Sequence, residues 1–203
     1  METLDSHYHN WFGVLFFAVL YGAVLLFIPF YKKMDKKPRG TYLAFVIAFA
    51  IEMHGIPFSM YLISWILGRN LQEGILWGHT LVLSVGHLGM YISIVLGIIA
   101  LFLILNGWYN IYQKYWSKEN GKGILVTSGV YRYIRHPQYT GLLLLSLGMI
   151  LNWATLPLLI LYPVMVVMYF RLARKEELDM LKEFGDRYRS YMRQTKRFLP
   201  FIW

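Results

Sequence analysis

The sequence predicts an all-α integral membrane protein: about five transmembrane helices with a C-terminal cytoplasmic amphipathic segment. Three observations carry that prediction. Of the 203 residues, 57% are hydrophobic and only 15% charged, against ~45–50% and ~25% in soluble domains. Several apolar runs reach the ~20 residues that cross a hydrocarbon core. The basic residues also cluster beside those runs, five in 32–39, five in 114–135 and nine in 171–197, leaving only Arg69 elsewhere. That clustering is the positive-inside signature, so the net charge of +9 reports topology and no nucleic-acid partner is expected.

Taken in order, Met1–Asn10 is short and polar with no Lys or Arg, unlike the basic start of a secretory signal. Trp11–Tyr31 is a 21-residue apolar span stopped by KKMDKKPR, so it reads as a retained helix. The second span runs over about 41–67 and carries Glu52, His54 and Pro57; a proline inside a helix removes a backbone donor and kinks it. A third span lies within 81–105. An interfacial turn with Trp77 and His79 precedes it, and Trp108, Tyr109, Tyr112 and Trp116 follow at the boundary where aromatics collect.

Residues 117–135 form the longest connection outside the membrane. Proline is tolerated at the first turn of a helix, and the residue before it is pushed out of helical geometry, so the fourth span starts at Pro137 and runs to about Leu151. A short turn at 152–155 makes the fourth and fifth spans an antiparallel hairpin. The fifth, from about Leu156 to Arg171, continues through EELDMLKEF and stops at Gly185. Asp186–Thr195 then reads as a basic amphipathic segment with Tyr188 and Tyr191 on one face. Five crossings put 19 of the 20 basic residues on one side. The N-terminus is then outside, the C-terminus cytoplasmic and the candidate site at the cytoplasmic face.

The hairpin makes the far ends of the last two spans neighbours. Arg135-His136 opens span four, where free backbone N–H groups and the positive end of the helix dipole suit an anion. Arg171, Arg174, Glu176 and Glu177 close span five, with Tyr131, Tyr133 and Tyr139 around the loop. Charges flanking a membrane helix ordinarily contact headgroups. Ionisable groups inside a span are costly, which marks Glu52 and His54. His79 and His87, eight apart, suggest metal or haem but lack a third ligand, and no metal site is assigned. The absence of cysteine excludes disulfides and thiolate chemistry.

LVTSGVYRYIRHPQYTG followed by EELDMLKEFGDRYRSYMRQTKRFLPFI resembles the isoprenylcysteine carboxyl methyltransferase family and the related phospholipid N-methyltransferases. The combination of RHPxY with Glu176-Glu177, Phe184-Gly185, Tyr188, Tyr191 and the terminal Leu199–Ile202 carries the resemblance, over about two-fifths of the chain. It implies an S-adenosylmethionine site in residues 117–203 and leaves residues 1–116 as a three-span half giving access to the acceptor. Carried over to this chain, Leu125, Val126 and Tyr131 line the cofactor pocket; His136, Pro137, Gln138 and Tyr139 contact the cofactor. Glu176 holds its ammonium, and Arg135 and His136 suit its carboxylate. Glu177 belongs to the same set, and with His136 is the candidate base for an amine or thiol acceptor. Arg171 lies near the arginine that faces the substrate carboxylate. Family members often carry a histidine just before the Leu-Val pair, where this chain has Gly123 nearby.

The expected partner is a lipophilic small molecule or lipid entering from the bilayer, along a route that Glu52, His54 and His87 help to shape. The expected reaction is carboxyl O-methylation of an isoprenylcysteine-like compound. The alternatives are a phospholipid amine N- or thiol S-methyltransferase, or a non-catalytic membrane protein binding haem or a small molecule through His54, His79 and His87. Nothing in the sequence speaks to oligomeric state.

Overall fold

A computed structural model describes residues 8–28, 36–68, 87–116 and 124–199. Helix α1 is Trp11–Gly22, tightening into a 3₁₀ stretch over Ala23–Phe27. Asn10 caps it, its side-chain oxygen accepting the Gly13 N–H at 2.9 Å. Helix α2 is Lys36–Ala50; it widens into a π turn over Ile51–Gly55, breaks, and resumes as α3, Phe58–Leu67, bent by 73°. The expected kink is therefore present. Its cause is double: the π turn, closed by Ile56 N donating to Ile51 O at 2.9 Å, and Pro57, which has no N–H to continue the ladder.

Helix α4 is Leu88–Ile111, continued by a π turn over Tyr112–Trp116. Its expected start, at 81–86, lies outside the described residues, as do Trp77, His79 and the terminal Pro200–Ile202. A 3₁₀ turn at Gly129–Arg132 leads to α5, Pro137–Asn152, with Pro137 in the first turn. Helix α6 is Leu156–Phe184, and Gly185 at φ +54 ends it. Helix α7, Asp186–Gln194, buries Tyr188 and Tyr191 as the pattern requires.

Contacts fix the directions. The α4 and α5 backbones approach at Ser93 against Gly148, at Ala100 and Ile104 against Gly141, and at Gly107 against Gln138, so the two run antiparallel. A Cβ on Gly141 would lie 2.6 Å from Ile104 Cγ1 and 2.8 Å from the Ala100 carbonyl, which is why that position takes no side chain. The buried face of α4 over its second half is Ala100, Ile104, Gly107 and Ile111, a heptad-like seam, while Val95, Ile98, Ile99 and Phe102 point outward. Small residues inside and large apolar ones outside is the arrangement of a helix packed in lipid. Helix α2 runs antiparallel to both α1 and α6, tied by Tyr42 OH to Tyr21 O at 3.0 Å and by Thr41 Oγ1 to Met168 Sδ at 3.2 Å. Its Tyr42, Phe45, Val46 and Phe49 form the core with Leu142, Leu158, Met165 and Tyr169.

Among the described residues, α4 and α6 are each long and apolar enough to cross a membrane, and the bent α2–α3 pair makes a third if counted as one span. Helix α1 with its 3₁₀ extension and α5, at 16 residues, are shorter. The chain is an all-helical integral membrane protein.

Candidate functional site

The antiparallel packing gathers the end of the α1 extension, the start of α2, the end of α4, the start of α5 and the end of α6 at one pole. His136, non-helical at φ −125° and ψ 61°, is the N-cap of α5; the residue before a proline is pushed out of helical geometry. Its ring stacks on Tyr139 at 5.6 Å between centroids. From α6, Glu176 and Glu177 meet it on two sides. His136 Nδ1 lies 3.5 Å from Glu176 Oε2, and Nε2 lies 3.4 Å from Glu177 Oε1. Burial alone would push the imidazole pKa down, but the two carboxylates outweigh it and hold the pKa above its ordinary value, favouring the cation.

The adjacent acids have different roles because successive helical residues are turned by about 100°. Glu177, at 3% exposure, accepts from Arg135 Nε at 2.8 Å and from Arg197 Nε at 3.0 and 3.1 Å. It is saturated. Glu176 is more open, its side chain 19% exposed; Oε1 accepts the Tyr139 hydroxyl at 2.5 Å, and the carboxylate edges a cleft.

Arg197 is the residue that sequence reasoning left without a role, counting it only as one of the basic cluster. It arrives because the chain after α7 lies beside residues 133–136. Arg135 N donates to Lys196 O at 2.8 Å, His136 N to Arg197 O at 3.1 Å and Lys196 N to Tyr133 O at 3.3 Å. Arg135 Nη1 donates to the carbonyls of Met192 and Thr195, and Thr140 Oγ1 to Phe198 O at 3.0 Å. A basic residue close behind an amphipathic helix was the only local signal available.

The cleft lies on the other side of His136. Its lining includes Leu125, Val126 and Tyr131, then Glu176, Met180 and Phe184 of α6, and Ile28, Ile111 and Tyr115 from the N-terminal half. Arg135, His136, Gln138, Tyr139, Tyr188 and Tyr191 complete the lining. The empty space, open mouth included, is about 660 Å³. Tyr131 OH donates to Gln138 Oε1 at 2.8 Å, and Tyr191 OH to Tyr131 O at 2.6 Å; burial holds the Tyr191 phenol well above its usual pKa, so it stays a donor. The Gln138 amide nitrogen is buried without a partner among the described residues. Gly129, at φ +62, opens the wall. A Cβ there would stand 2.9 Å from Asn110 Nδ2.

A sequence model of the phospholipid methyltransferase family matches residues 74–187, more than half of the chain and the whole α4–α6 frame around this cleft. The chain belongs to the phospholipid methyltransferase family. It is also 31% identical over 87 residues to a protein-S-isoprenylcysteine O-methyltransferase of Schizosaccharomyces pombe, covering 42% of this chain and 37% of that protein. The rat enzyme of the same name is 30% identical over 105 residues, 51% of this chain and 36% of the relative. The human one is 35% identical over 79 residues, 38% and 28%. The matched region thus spans about a third of the length of these relatives.

Within this family member, Leu125, Val126, Tyr131, Arg135, His136, Gln138, Tyr139 and Glu176 all line one cleft, while Pro137 sets the helix start beside it. The other expected site residues stand elsewhere. Arg135 lines the cleft, but its guanidinium is committed to Glu177 and the C-terminal carbonyls. Glu177 itself faces away from the cleft. Arg171 is exposed and outside the lining; five residues before Glu176, it is turned by roughly 140° from it.

The expectation that Glu52, His54 and His87 shape a route into the cleft meets a correction. Glu52 is bound to Ser59, whose hydroxyl donates to it at 2.9 Å and accepts from Leu156 N at 3.0 Å. Leu156 starts α6, and Glu176 is twenty residues further on, about 30 Å along the helix. His54 packs beside Gly13 and stacks on Phe17 at 4.7 Å, and His87 is exposed at the start of α4. All three occupy the opposite pole. Their burial or position serves the α2–α3 corner and the helix start. Among the described residues no group of three His, Cys, Asp or Glu is placed to hold a metal ion.

Proposed function

We propose that the chain is an S-adenosylmethionine-dependent methyltransferase acting on a lipophilic acceptor, with carboxyl O-methylation of an isoprenylcysteine-like compound as its reaction. The observation that carries the reading is the 3.5 Å approach of His136 on α5 to Glu176 on α6. A cationic helix mouth and an acid thereby share one cleft. The residues fit the cofactor. Glu176 is a partly open carboxylate for an ammonium, the α5 N-terminus and charged imidazole suit a carboxylate, and Tyr131, Tyr188 and Tyr191 offer aromatic walls. The buried Gln138 amide nitrogen has no acceptor among the described residues.

The cofactor supplies an electrophilic methyl group on a cationic sulfur. The protein's share is to hold donor and acceptor in line and exclude water, since alignment supplies much of the rate gain. The acceptor chemistry follows from what the site lacks. Glu177, one candidate base, is held by two guanidiniums and an imidazole, and His136, the other, lies between two carboxylates that raise its pKa against the opposing effect of burial. A site without a free base suits an acceptor that is already an anion, and a carboxylate is one; an amine or thiol would have to lose a proton first. The names of the relatives, which act on protein isoprenylcysteine, agree with that choice. Arg171, off the cleft, is left out of the catalytic set. The pole that carries Arg135, Arg174 and Arg197 is assigned to the cytoplasmic face, in keeping with the clustering of basic residues in the sequence, with five helical passes leading to and from it.

Calorimetry of S-adenosylhomocysteine with purified protein tests the site. Glu176→Gln should weaken binding at least tenfold and Arg171→Gln should leave it unchanged; a Glu176→Gln protein that binds normally overturns the assignment. Labelled methyl transfer to a farnesylated thioether acid, with an aminophospholipid alongside, tests the acceptor. Label on the amine alone would replace the carboxyl reading with N-methylation.

A further inference from the structure

The 129–134 turn has an outer side as well as an inner one. There, Phe102, Leu103 and Asn106 of α4 and Val130, Arg132 and Ile134 of the turn border an open groove with about 930 Å³ of empty space, open side included. No side chain lines both this groove and the cleft. Tyr131 points into the cleft and its neighbours point out, so the turn is a partition.

The groove is apolar along its length and cationic at its mouth. Phe102 is 58% and Tyr133 56% exposed, continuous with exposed Ile98, Ile99 and Leu105 on the outer face of α4. Phe102 lies nine residues before Ile111, about 13 Å of helix below the cleft pole, where acyl chains begin. Arg132 stands in the non-membrane turn above it. Arg135 and Arg197 are both engaged by Glu177. Arg132, by contrast, is exposed and makes no ion pair or hydrogen bond among the described residues. The side-chain oxygen of Asn106 accepts from Asn110 at 2.8 Å. An apolar groove ending in a cation that has no partner among the described residues, at the membrane boundary, matches an anionic phospholipid.

We propose that this groove binds an anionic phospholipid, with the phosphate on Arg132 and an acyl chain along Phe102, Leu103, Val130 and Ile134. The lipid braces the partition from outside. The turn it braces carries Tyr131, whose hydroxyl holds Gln138 and whose carbonyl accepts Tyr191, and Tyr133, whose carbonyl accepts Lys196 N. Occupancy therefore stabilises the cleft wall, as any ligand selective for the folded state must.

The test uses nanodiscs of equal parts phosphatidylcholine and phosphatidylglycerol. Lipid retained on the released protein is read by native mass spectrometry, and melting is compared with phosphatidylcholine alone. Wild type should retain phosphatidylglycerol selectively and melt higher with it. Arg132→Gln should lose roughly fivefold of that retention, the worth of one basic residue near an anionic lipid surface, together with the melting shift. Phe102→Ala should lose retention of either headgroup. Arg174→Gln, exposed at the same pole but off the groove, should behave as wild type. Equal retention by Arg132→Gln, or an equal loss in Arg174→Gln, overturns the proposal in favour of diffuse surface attraction. Neither readout depends on methyl transfer.

Discussion

Replacing Glu177 with glutamine removes the one charge that three cations share. Arg135 Nε at 2.8 Å, Arg197 Nε at 3.0 Å and His136 Nε2 at 3.4 Å all address its Oε1, and the side chain is only 4% exposed. Breaking a buried ion pair by deleting one partner costs about 3–5 kcal/mol, because the remaining charge stays desolvated. Two features pull the value to the lower end. Arg197, 19% exposed, can turn toward water, and Arg135 keeps the carbonyls of Met192 and Thr195. About 3 kcal/mol corresponds to roughly 6–12 °C in a domain of this size. Melting of the purified protein in detergent, followed by intrinsic fluorescence, reads it directly. Adding Arg197→Gln should recover part of the loss, since residues in one charge network couple by ~0.5–3 kcal/mol. A Glu177→Gln protein melting within about 2 °C of wild type, or a double variant whose losses simply add, would refute the shared-anion account.

Four further outcomes follow from the same geometry. His136 has a folded pKa raised by its carboxylate neighbours against the opposing effect of burial. Its contribution to stability is therefore complete below the unfolded value of ~6.5 and lost as pH rises through the folded one; the melting difference between wild type and His136→Gln should shrink as pH is raised above about 6.5. Gly141→Ala should destabilise by about 1–3 kcal/mol, because the new methyl meets a backbone carbonyl that cannot move aside; Gly148→Ala, 3.2 Å from Ser93 O, should cost less in the same melting assay. Ser59→Ala deprives buried Glu52 of a donor and Leu156 N of an acceptor, costing about 1–3 kcal/mol. Calorimetry should find S-adenosylhomocysteine affinity unchanged in that variant, since the corner lies at the far pole.

Much of the frame was legible beforehand. Pro137 and Gly185 bounded α5 and α6 where expected, and the 152–155 turn made the hairpin that brings His136 to Glu176. The kink near Pro57 was legible, but the π turn before it was not, since no residue pattern distinguishes an inserted residue in an apolar helix. The residues of RHPxY and Glu176 were found together as a set. Ile28, Ile111 and Tyr115, which line the cleft from the N-terminal half, carried no signal beyond hydrophobicity.

Glu52, His54 and His87, expected to help shape the acceptor's route, lie at the pole opposite the cleft for a definite reason. Depth along the helix axis follows from counting 1.5 Å per residue in the right direction, and those residues sit where the count begins for α6, not where it ends. Local sequence determines what depends on one residue and its solvent: which stretches partition into lipid, where a backbone without a donor starts a helix, and where a glycine stops one. Only the folded chain decides what depends on rotational phase and register between helices. Thus Glu176 opens to the cleft while its neighbour Glu177 is buried, Arg197 returns from the C-terminal segment to neutralise it, and Arg171 faces away. Those outcomes depend on how several helices pack together, and a change of one residue in register would reassign them all.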